Sequence, residues 1–164
     1  MLDDIEIEFE TDNSKDIVYL NGKDVTTRIR EKDVAKIVSF VSSIKEVRFK
    51  LNEIFRKCAD GKKVIMEGRD IGTYVFPNAD VKIYLDATPE ERANRRYKQN
   101  QILGIDMPYE EILENIKTRD KNDMEKEIGA LKKADDAVYI DSTNMNIEEV
   151  TNKVLEIINE KIVH

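Results

Sequence analysis

The sequence predicts an α/β protein in which a mainly parallel sheet carries helices on both faces and a small antiparallel insert opens the chain. Two observations lead to this class. After Gly61, short apolar segments alternate with helical patterns, which is typical of parallel strands connected by helices. Before it, residues 5–10 alternate between apolar and acidic side chains, as in a half-buried strand. A chain of 164 residues is long enough for one domain with a core of its own.

The first part of the chain predicts an antiparallel hairpin followed by two helices. Three short strands are expected, over residues 5–10, 17–20 and 25–29. Asn21–Gly22 is typical of a tight turn between strands. Apolar residues then recur at helical spacing from about residue 31 and again after Ser43. Gly61 is expected to end the second of these helices.

The second part of the chain predicts strands and helices in alternation. Three apolar segments are expected to be strands, at residues 64–66, 81–85 and 137–140. Thr88, Pro89 and Glu91 form the start signal of a helix, because the hydroxyl and the acid cap its first turn. A further helix is expected around Ile112, and Asn146 caps the last helix.

The composition excludes several classes of protein. The net charge is −7, from 27 basic and 34 acidic residues, which argues against binding to a nucleic-acid polymer. No apolar run approaches the ~20 residues of a membrane span, and the acidic start does not resemble a signal peptide. The one cysteine, Cys58, fits a reducing cytoplasm. The only histidine is His164, and no metal site is predicted from the protein's own residues.

The segment from Gly68 to Thr73 is the strongest candidate for a site. It places Arg69 and Asp70 directly after an apolar segment, and ligand sites of parallel sheets gather where the strands end. Gly68 and Gly72 would let the backbone approach a ligand closely. From this local pattern, a phosphate-handling site and a tight strand–loop junction with a buried ion pair are equally good interpretations.

Two further clusters could bind phosphate or sugar groups. Arg92, Arg95 and Arg96 lie within five positions on one predicted helix, and guanidinium groups bind phosphate oxygens in pairs. Pairing with nearby acids such as Glu91 is the favoured alternative, because most charges on helix surfaces are merely solvated. The segment from Arg119 to Asp123 could clamp a ribose hydroxyl or a base, or it could be a solvated helix end.

Several long motifs taken together resemble bacterial cytidylate kinases. They are Met66–Pro77 (MEGRDIGTYVFP), Lys82–Ala93 (KIYLDATPEERA) with Arg95–Gln99 (RRYKQ), Lys117–Asp120 (KTRD), Leu131–Ala137 (LKKADDA) and Ile140–Thr143 (IDST). Leu20–Val25 and Ile29–Arg30 are similar to the monophosphate-binding insert of that family. The resemblance covers essentially the whole chain in order.

The resemblance implies transfer of the γ-phosphoryl group of ATP to CMP or dCMP, with Mg²⁺. By position, Ser39 and Arg48 would contact the cytosine and Arg69 would hold the CMP phosphate. Arg119 and Asp123 would contact the sugar.

The resemblance also implies a mobile lid over about residues 88–105. Arg92, Arg95 and Arg96 would lie in or beside this lid, and Asp70 would be a polar anchor near the metal and the phosphates. Lys126 stands where the family usually has a phosphate-binding arginine, so a point charge replaces a fork at this position. Residues 1–44 would form the monophosphate-binding insert and residues 45–164 a partial kinase core.

One element of the family is not found in these 164 residues: the G-x-x-x-x-G-K-[ST] loop that cradles the nucleotide triphosphate and supplies a hydroxyl to Mg²⁺. The sequence therefore predicts a partial P-loop nucleoside monophosphate kinase fold and negligible activity for this segment alone. A second chain, or a swapped neighbour in an oligomer, could supply the missing central strand. A start codon assigned too far downstream would also account for it. The alternative is a non-catalytic module that binds nucleotides or a protein partner.

Overall fold

A computed structural model of the chain describes residues 4–12 and 15–162. The chain forms two compact units, Met1–Met66 and Glu67–His164. Each unit contains a small sheet and helices of its own. The monophosphate-binding insert expected over residues 1–44 falls within the first unit and stays a prediction, as does the lid expected over about residues 88–105 in the second. His164 lies outside the described residues.

An antiparallel sheet of three strands opens the first unit. Strand β1 (Ile7–Asp12) pairs with β2 (Lys15–Leu20), which pairs in turn with β3 (Lys23–Asp24). Asn21 and Gly22 connect β2 to β3 with positive φ angles of 50° and 73°. A two-residue hairpin loop needs this left-handed backbone to match the twist of its strands, and Asn-Gly adopts it readily. The predicted hairpin and turn are confirmed.

The third strand predicted over residues 25–29 is wrong. Strand β3 ends at Asp24, and residues Arg28–Arg30 form a single 3-10 turn. The Thr26 hydroxyl accepts a hydrogen bond of 2.9 Å from the Val18 backbone, and the Asp24 carboxylate accepts one of 2.8 Å from the Thr26 backbone. These side-chain bonds replace the ladder bonds of a longer strand and turn the chain away from the sheet.

Two helices complete the first unit, as predicted. Helix α1 spans Lys32–Val41 and helix α2 spans Lys45–Ala59. Gly61 follows α2 with a φ angle of +65°, a conformation that glycine adopts without steric cost and that commonly follows a helix end.

The strand predicted at residues 64–66 is also wrong. No ladder joins this segment to another strand in the described part of the chain, and Ile65 is 95% exposed. Apolar side chains alone do not make a strand, because the strand exists only where a neighbouring backbone takes up its hydrogen bonds. The segment is therefore an apolar stretch that pairs with no strand among the described residues.

The second unit contains the parallel pairing that the sequence predicts. Strand β4 (Ile83–Asp86) lies parallel to β5 (Val138–Asp141), in a register that sets Ile83 opposite Val138. Helices α3 (Pro89–Ile102) and α4 (Tyr109–Met124) connect the two strands, and α5 (Ile147–Ile162) follows β5. The α/β class is confirmed, although the described parallel sheet has two strands and is smaller than the mainly parallel sheet expected.

Local capping groups fix where the helices of this unit begin. The Thr88 hydroxyl accepts a hydrogen bond of 3.3 Å from the Glu91 backbone at the start of α3. Asn146 and Glu149 cap α5 reciprocally, since each side chain accepts from the other residue's backbone N–H, at 2.9 and 2.8 Å. Both helices begin where the sequence predicts. The hydrogen bonds stabilise these starts because they satisfy backbone donors that the first helical turn leaves unpaired.

The apolar core of the second unit is small. Its buried residues are Val75, Ala87, Ala93, Ile112, Ile140 and Ile157. Helices α3 and α4 pack against each other, and Ala93 is fully buried. None of the helices within residues 4–12 and 15–162 combines the length and hydropathy needed to cross a membrane.

Candidate functional site

A wide turn presents Arg69 and Asp70 at the start of the second unit. The Asp70 carbonyl accepts hydrogen bonds from the backbones of Tyr74 and Val75, at 2.8 and 3.2 Å, and Asp70 itself is buried. Gly68 precedes the turn, and a Cβ atom added there would lie 2.7 Å from Cγ1 of Ile71. A larger residue at position 68 would therefore force the Ile71 side chain to move.

Three cationic side chains converge on the carboxylate of Asp123. Lys126 Nζ lies 2.7 Å from Oδ1, while Arg69 Nε and Arg119 Nε lie 3.1 and 3.7 Å from Oδ2. Asp123 is only 6% exposed, whereas the Arg119 side chain is 71% exposed. We call these four residues the Asp123 cluster; it joins the turn at Arg69 to the end of α4.

The geometry of α4 explains the contact between Arg119 and Asp123. Arg119 precedes Asp123 by four residues, a spacing that places both side chains on one face of α4, whereas Lys126 follows the end of that helix at Met124. The Asp123 carbonyl accepts a hydrogen bond of 2.8 Å from the Leu131 backbone, which ties the chain beyond α4 back to the helix end. Three positive charges against one negative charge leave the cluster net positive, so it is suited to an anion such as phosphate.

Arg92 is held by a carboxylate of the neighbouring helix. Its two terminal nitrogens donate to the two oxygens of Asp120, at 2.9 and 2.7 Å, and its Nε donates to the Ala87 carbonyl at 3.0 Å. The hydrogen bond to Asp120 raises the pKa of Arg92 above its usual value, against a smaller opposing effect of burial. The contact between Arg92 and Asp120 was not expected from the sequence, because the two residues are 28 positions apart and meet only in the fold.

The other two arginines predicted to lie in the lid have different surroundings. Arg95 pairs with Glu91 at 2.9 Å and donates to the Ser142 carbonyl at 2.5 Å. Arg96 donates to the Gln99 side chain at 3.1 Å and forms no ion pair within the part of the chain that is described. The prediction that these arginines pair with nearby acids is therefore confirmed for Arg92 and Arg95. Arg96 has no acidic partner among the described residues.

A pair of tyrosines on the parallel sheet was not expected from the sequence. Tyr84 and Tyr139 are opposite each other in the register, and their rings stack with centroids 6.1 Å apart. The Tyr139 hydroxyl donates to the Asp86 carboxylate at 3.0 Å, which raises the pKa of Tyr139. Burial, and then the charges of Asp86 and Asp120, raise the pKa of Tyr84. Only strand register could have revealed this pair.

Ser39 and Arg48 belong to the first unit, on α1 and α2. Arg48 donates a hydrogen bond of 3.4 Å to the Ser42 carbonyl, while the side chain of Ser39 lies outside the described residues. The structure brings Arg69, Arg119, Asp123 and Lys126 together in the second unit, and the cytosine-binding roles of Ser39 and Arg48 stay predictions.

The Asp123 cluster offers donors that fit a phosphate group, and the described residues offer no cluster of metal ligands. Residues 4–12 and 15–162 contain no group of three acidic, histidine or cysteine side chains able to hold a metal ion, and magnesium in kinases is held largely by water and the phosphates of the substrate. Asp70, expected as an anchor near the metal, therefore has no such group around it in that part of the chain. The cationic Asp123 cluster, by contrast, provides donors that match phosphate oxygens.

An α/β protein with a cationic, partly buried cluster of this kind has the charge and the donors to bind a small anionic ligand. The family model for cytidylate kinase matches residues 1–160. The chain is 49% identical over 157 residues to a cytidylate kinase of Caldicellulosiruptor saccharolyticus, covering 96% of this chain and 70% of the relative. It is 44% identical to the cytidylate kinase of Bacillus subtilis, covering 96% of this chain and 70% of the relative. It is 42% identical to the cytidylate kinase of Halalkalibacterium halodurans, covering 99% of this chain and 73% of the relative. The chain therefore belongs to the cytidylate kinase family.

Proposed function

We propose that this chain provides the acceptor site and lid of an enzyme that transfers the γ-phosphoryl group of ATP to CMP or dCMP. The observation that carries the proposal is the Asp123 cluster, in which Arg69 and Lys126 would bind the CMP phosphate. Arg119 and Asp123 would contact the sugar. Phosphoryl transfer needs alignment and charge neutralisation more than covalent chemistry from the protein, and this cluster supplies positive charge at one place.

The lid arginines would supply the remaining charge. Arg92 and Arg95 are paired with Asp120 and Glu91, so each would have to exchange its carboxylate for a phosphate oxygen. Arg96 has no ion pair to break among the described residues, so it would be the first of the three to bind a phosphate oxygen. Closure of such a lid excludes water, which protects ATP from wasteful hydrolysis.

Base selection would come from the first unit, where Ser39 and Arg48 would contact the cytosine. Hydrogen bonds to a base discriminate strongly, because the wrong base leaves buried polar groups unpaired. This role is carried over by position from the family.

ATP would be the phosphoryl donor, with Mg²⁺ bound to it. The described residues contain no group of three metal ligands, and the 164 residues contain no G-x-x-x-x-G-K-[ST] loop. We therefore propose that a polypeptide of these 164 residues, assayed alone, has negligible CMP kinase turnover. Turnover in the usual range of about 1–100 s⁻¹ would contradict this.

Calorimetric titration of the 164-residue chain with CMP tests the acceptor site. CMP is expected to bind, to raise the melting temperature as any ligand specific for the native state does, and to bind more weakly to the Arg69→Gln variant. Lys121→Gln is the matched control, because Lys121 is an exposed cation of the same helix as Arg119 and lies outside the cluster. Equal CMP affinity in both variants would show that the Asp123 cluster does not bind CMP.

A non-catalytic binding module is the second candidate. The observation that favours it is a pair of exposed apolar side chains, because Ile65 is 95% exposed and Val64 is 49% exposed. Exposed apolar surface commonly marks a contact site. Addition of a polypeptide that carries a P-loop strand and helix separates the candidates. Restored phosphoryl transfer supports the kinase, and retained CMP binding without activity supports the module.

A further inference from the structure

A buried lysine of the second unit, Lys82, connects the loop after the Arg69 turn to the chain before β5. Its side chain is 8% exposed. The Nζ atom donates to both carboxylate oxygens of Asp136, at 2.9 and 2.7 Å, and to the Pro77 carbonyl. These three acceptors match the three donors of an ammonium group. Because a buried charge is costly unless it is paired and hydrogen-bonded, the Lys82 side chain is held at this position.

The parallel sheet fixes the backbone of Lys82. The Lys82 carbonyl accepts a hydrogen bond of 2.9 Å from the Val138 backbone. Lys82 directly precedes β4, and Asp136 lies two residues before β5. The two strands pair along their whole length, so both side chains extend from places where a rigid element begins.

The stem of Lys82 lies against the wide turn that follows Asp70. This turn spans Ile71–Val75. A Cβ atom added at Gly72 would lie 3.4 Å from Cδ and 3.5 Å from Cγ of Lys82, which is contact distance, so the lysine stem runs alongside the backbone of the turn. Because Pro77 lies just beyond the turn, one side chain contacts the turn and also bonds the loop that leaves it.

The backbone of the wide turn sets the position of Arg69. Asp70, which separates Arg69 from the turn, is buried, and its carbonyl accepts hydrogen bonds from the backbones of Tyr74 and Val75. The Arg69 side chain is 44% exposed, and its Nε lies 3.1 Å from Oδ2 of Asp123. Since solvent surrounds much of that side chain, its place beside Asp123 depends on where the turn holds the backbone.

We infer that Lys82 is a positioning residue for Arg69: it holds the wide turn against the start of the parallel sheet and so keeps Arg69 in the Asp123 cluster. Lys82 acts through the backbone of the turn and not on the ligand. The position matters because hydrogen bonds between guanidinium and phosphate groups depend on distance and angle. This inference rests on the proposed function, since it takes Arg69 as a residue that binds the CMP phosphate.

Calorimetric titration of the 164-residue chain and its Lys82→Met variant with CMP tests the inference. Methionine keeps an apolar stem beside Gly72 but removes the ammonium group. We expect CMP to bind about ten-fold more weakly to the variant, within the usual coupling between connected residues. Asn146→Ala is the control, because it removes the cap of α5 and lowers stability in the same unit without touching the turn. Unchanged affinity in Lys82→Met, or an equal loss in Asn146→Ala, would overturn the inference.

A double-mutant cycle with Arg69→Gln separates positioning from a general structural role. If Lys82 acts through Arg69, Lys82→Met should change CMP affinity less than about two-fold once Arg69 is replaced, because the contact that it positions is already lost. A ten-fold loss that persists in the Arg69→Gln background would overturn the inference and leave the proposed function standing. Unchanged CMP affinity in Arg69→Gln itself would overturn both.

Asp136→Asn decides the matter if Lys82→Met does not fold. Asp136 is 63% exposed, so this substitution removes the charge that holds the Lys82 ammonium and buries no new group. We expect CMP to bind about three-fold more weakly, and the loss to disappear in the Arg69→Gln background. Asp135→Asn is the matched control at the neighbouring exposed position. Equal CMP affinity in Asp136→Asn and Asp135→Asn would contradict a positioning role for the Lys82 contact.

Discussion

Arg92 and Asp120 form a two-pronged ion pair that joins helices α3 and α4, with nitrogen–oxygen distances of 2.9 and 2.7 Å. Both side chains are partly buried, at 32% and 15% exposed. A fork of this geometry is the strongest form of the arginine–carboxylate contact. It holds Arg92, the first of the arginines proposed for the lid, against helix α4.

Asp120→Asn should destabilise the second unit. The substitution removes the charge that Arg92 faces, and hydrogen bonds to charged groups contribute about 1.5–3 kcal/mol when buried. Because Arg92 is about one-third exposed, solvent screening reduces the expected loss to about 1 kcal/mol. Urea unfolding measures it, and a double-mutant cycle with Arg92→Gln separates the pair from other effects. Additive losses in the cycle would show that the pair contributes nothing.

Lys82 and Asp136 predict a dependence of stability on pH. Lys82 Nζ donates to both oxygens of Asp136, at 2.9 and 2.7 Å, which lowers the pKa of Asp136 below its usual 3.8. A lowered folded-state pKa contributes stability that is fully present above the unfolded-state pKa and is lost as the pH falls through the folded-state pKa. The stability difference between the unsubstituted chain and Asp136→Asn should therefore be constant near neutral pH, begin to fall near pH 3.8 and vanish once the pH lies below the lowered folded-state pKa.

Urea unfolding over a pH series checks this prediction. Asp135→Asn is the matched control, because it removes the same charge from the neighbouring exposed position. A difference for Asp136→Asn that persists at low pH, or one that Asp135→Asn reproduces, would rule out the Lys82 pair as its source.

Asn146→Ala should weaken the start of helix α5. Asn146 and Glu149 satisfy each other's backbone N–H groups, at 2.9 and 2.8 Å. Loss of such an N-cap costs about 1 kcal/mol. Thermal or urea unfolding measures the loss, with Asn144→Ala as the control because Asn144 is exposed two residues before the cap. Equal stability of the two variants would contradict the capping role.

Gly22→Val should destabilise the hairpin of the first unit through the backbone alone. Gly22 has a φ angle of +73°, and an added Cβ meets no atom within 4 Å, so no steric clash contributes. The left-handed conformation costs a residue with a Cβ about 1–2 kcal/mol. Gly22→Asn is the comparison, because asparagine tolerates this conformation and should lose less. Equal stabilities of the valine and asparagine variants would show that the turn rearranges.

Lys126→Met should weaken CMP binding about ten-fold, which corresponds to about 1.4 kcal/mol. Lys126 Nζ lies 2.7 Å from Asp123 and is one of the three cations of the cluster. Lys126→Arg should retain binding, since its fork also matches phosphate geometry. Calorimetry with CMP measures both, and Lys121→Met is the control for the loss of one cation from the same region. CMP affinity unchanged in Lys126→Met would exclude Lys126 from the acceptor site.

Features that depend on a few neighbouring residues were predictable from the sequence. Asn21–Gly22 forms the expected turn because its left-handed backbone is a property of those two residues. Thr88 and Asn146 cap their helices because the donors that they satisfy lie within three positions. The family could also be identified from long motifs in order, and the family match confirms it.

Features that depend on distant partners were decided only by the tertiary structure. The segment at residues 64–66 has the side chains of a strand, but no backbone in the described residues takes up its hydrogen bonds. Arg69 meets Asp123 across 54 positions, and Arg92 meets Asp120 across 28. The sequence by itself determined turns and helix caps, since these depend on local geometry, and it determined the family, since the motifs stand in the chain itself. The fold alone decided which carboxylate each arginine contacts, because charge pairing depends on distance in space, which residue types and spacing do not specify.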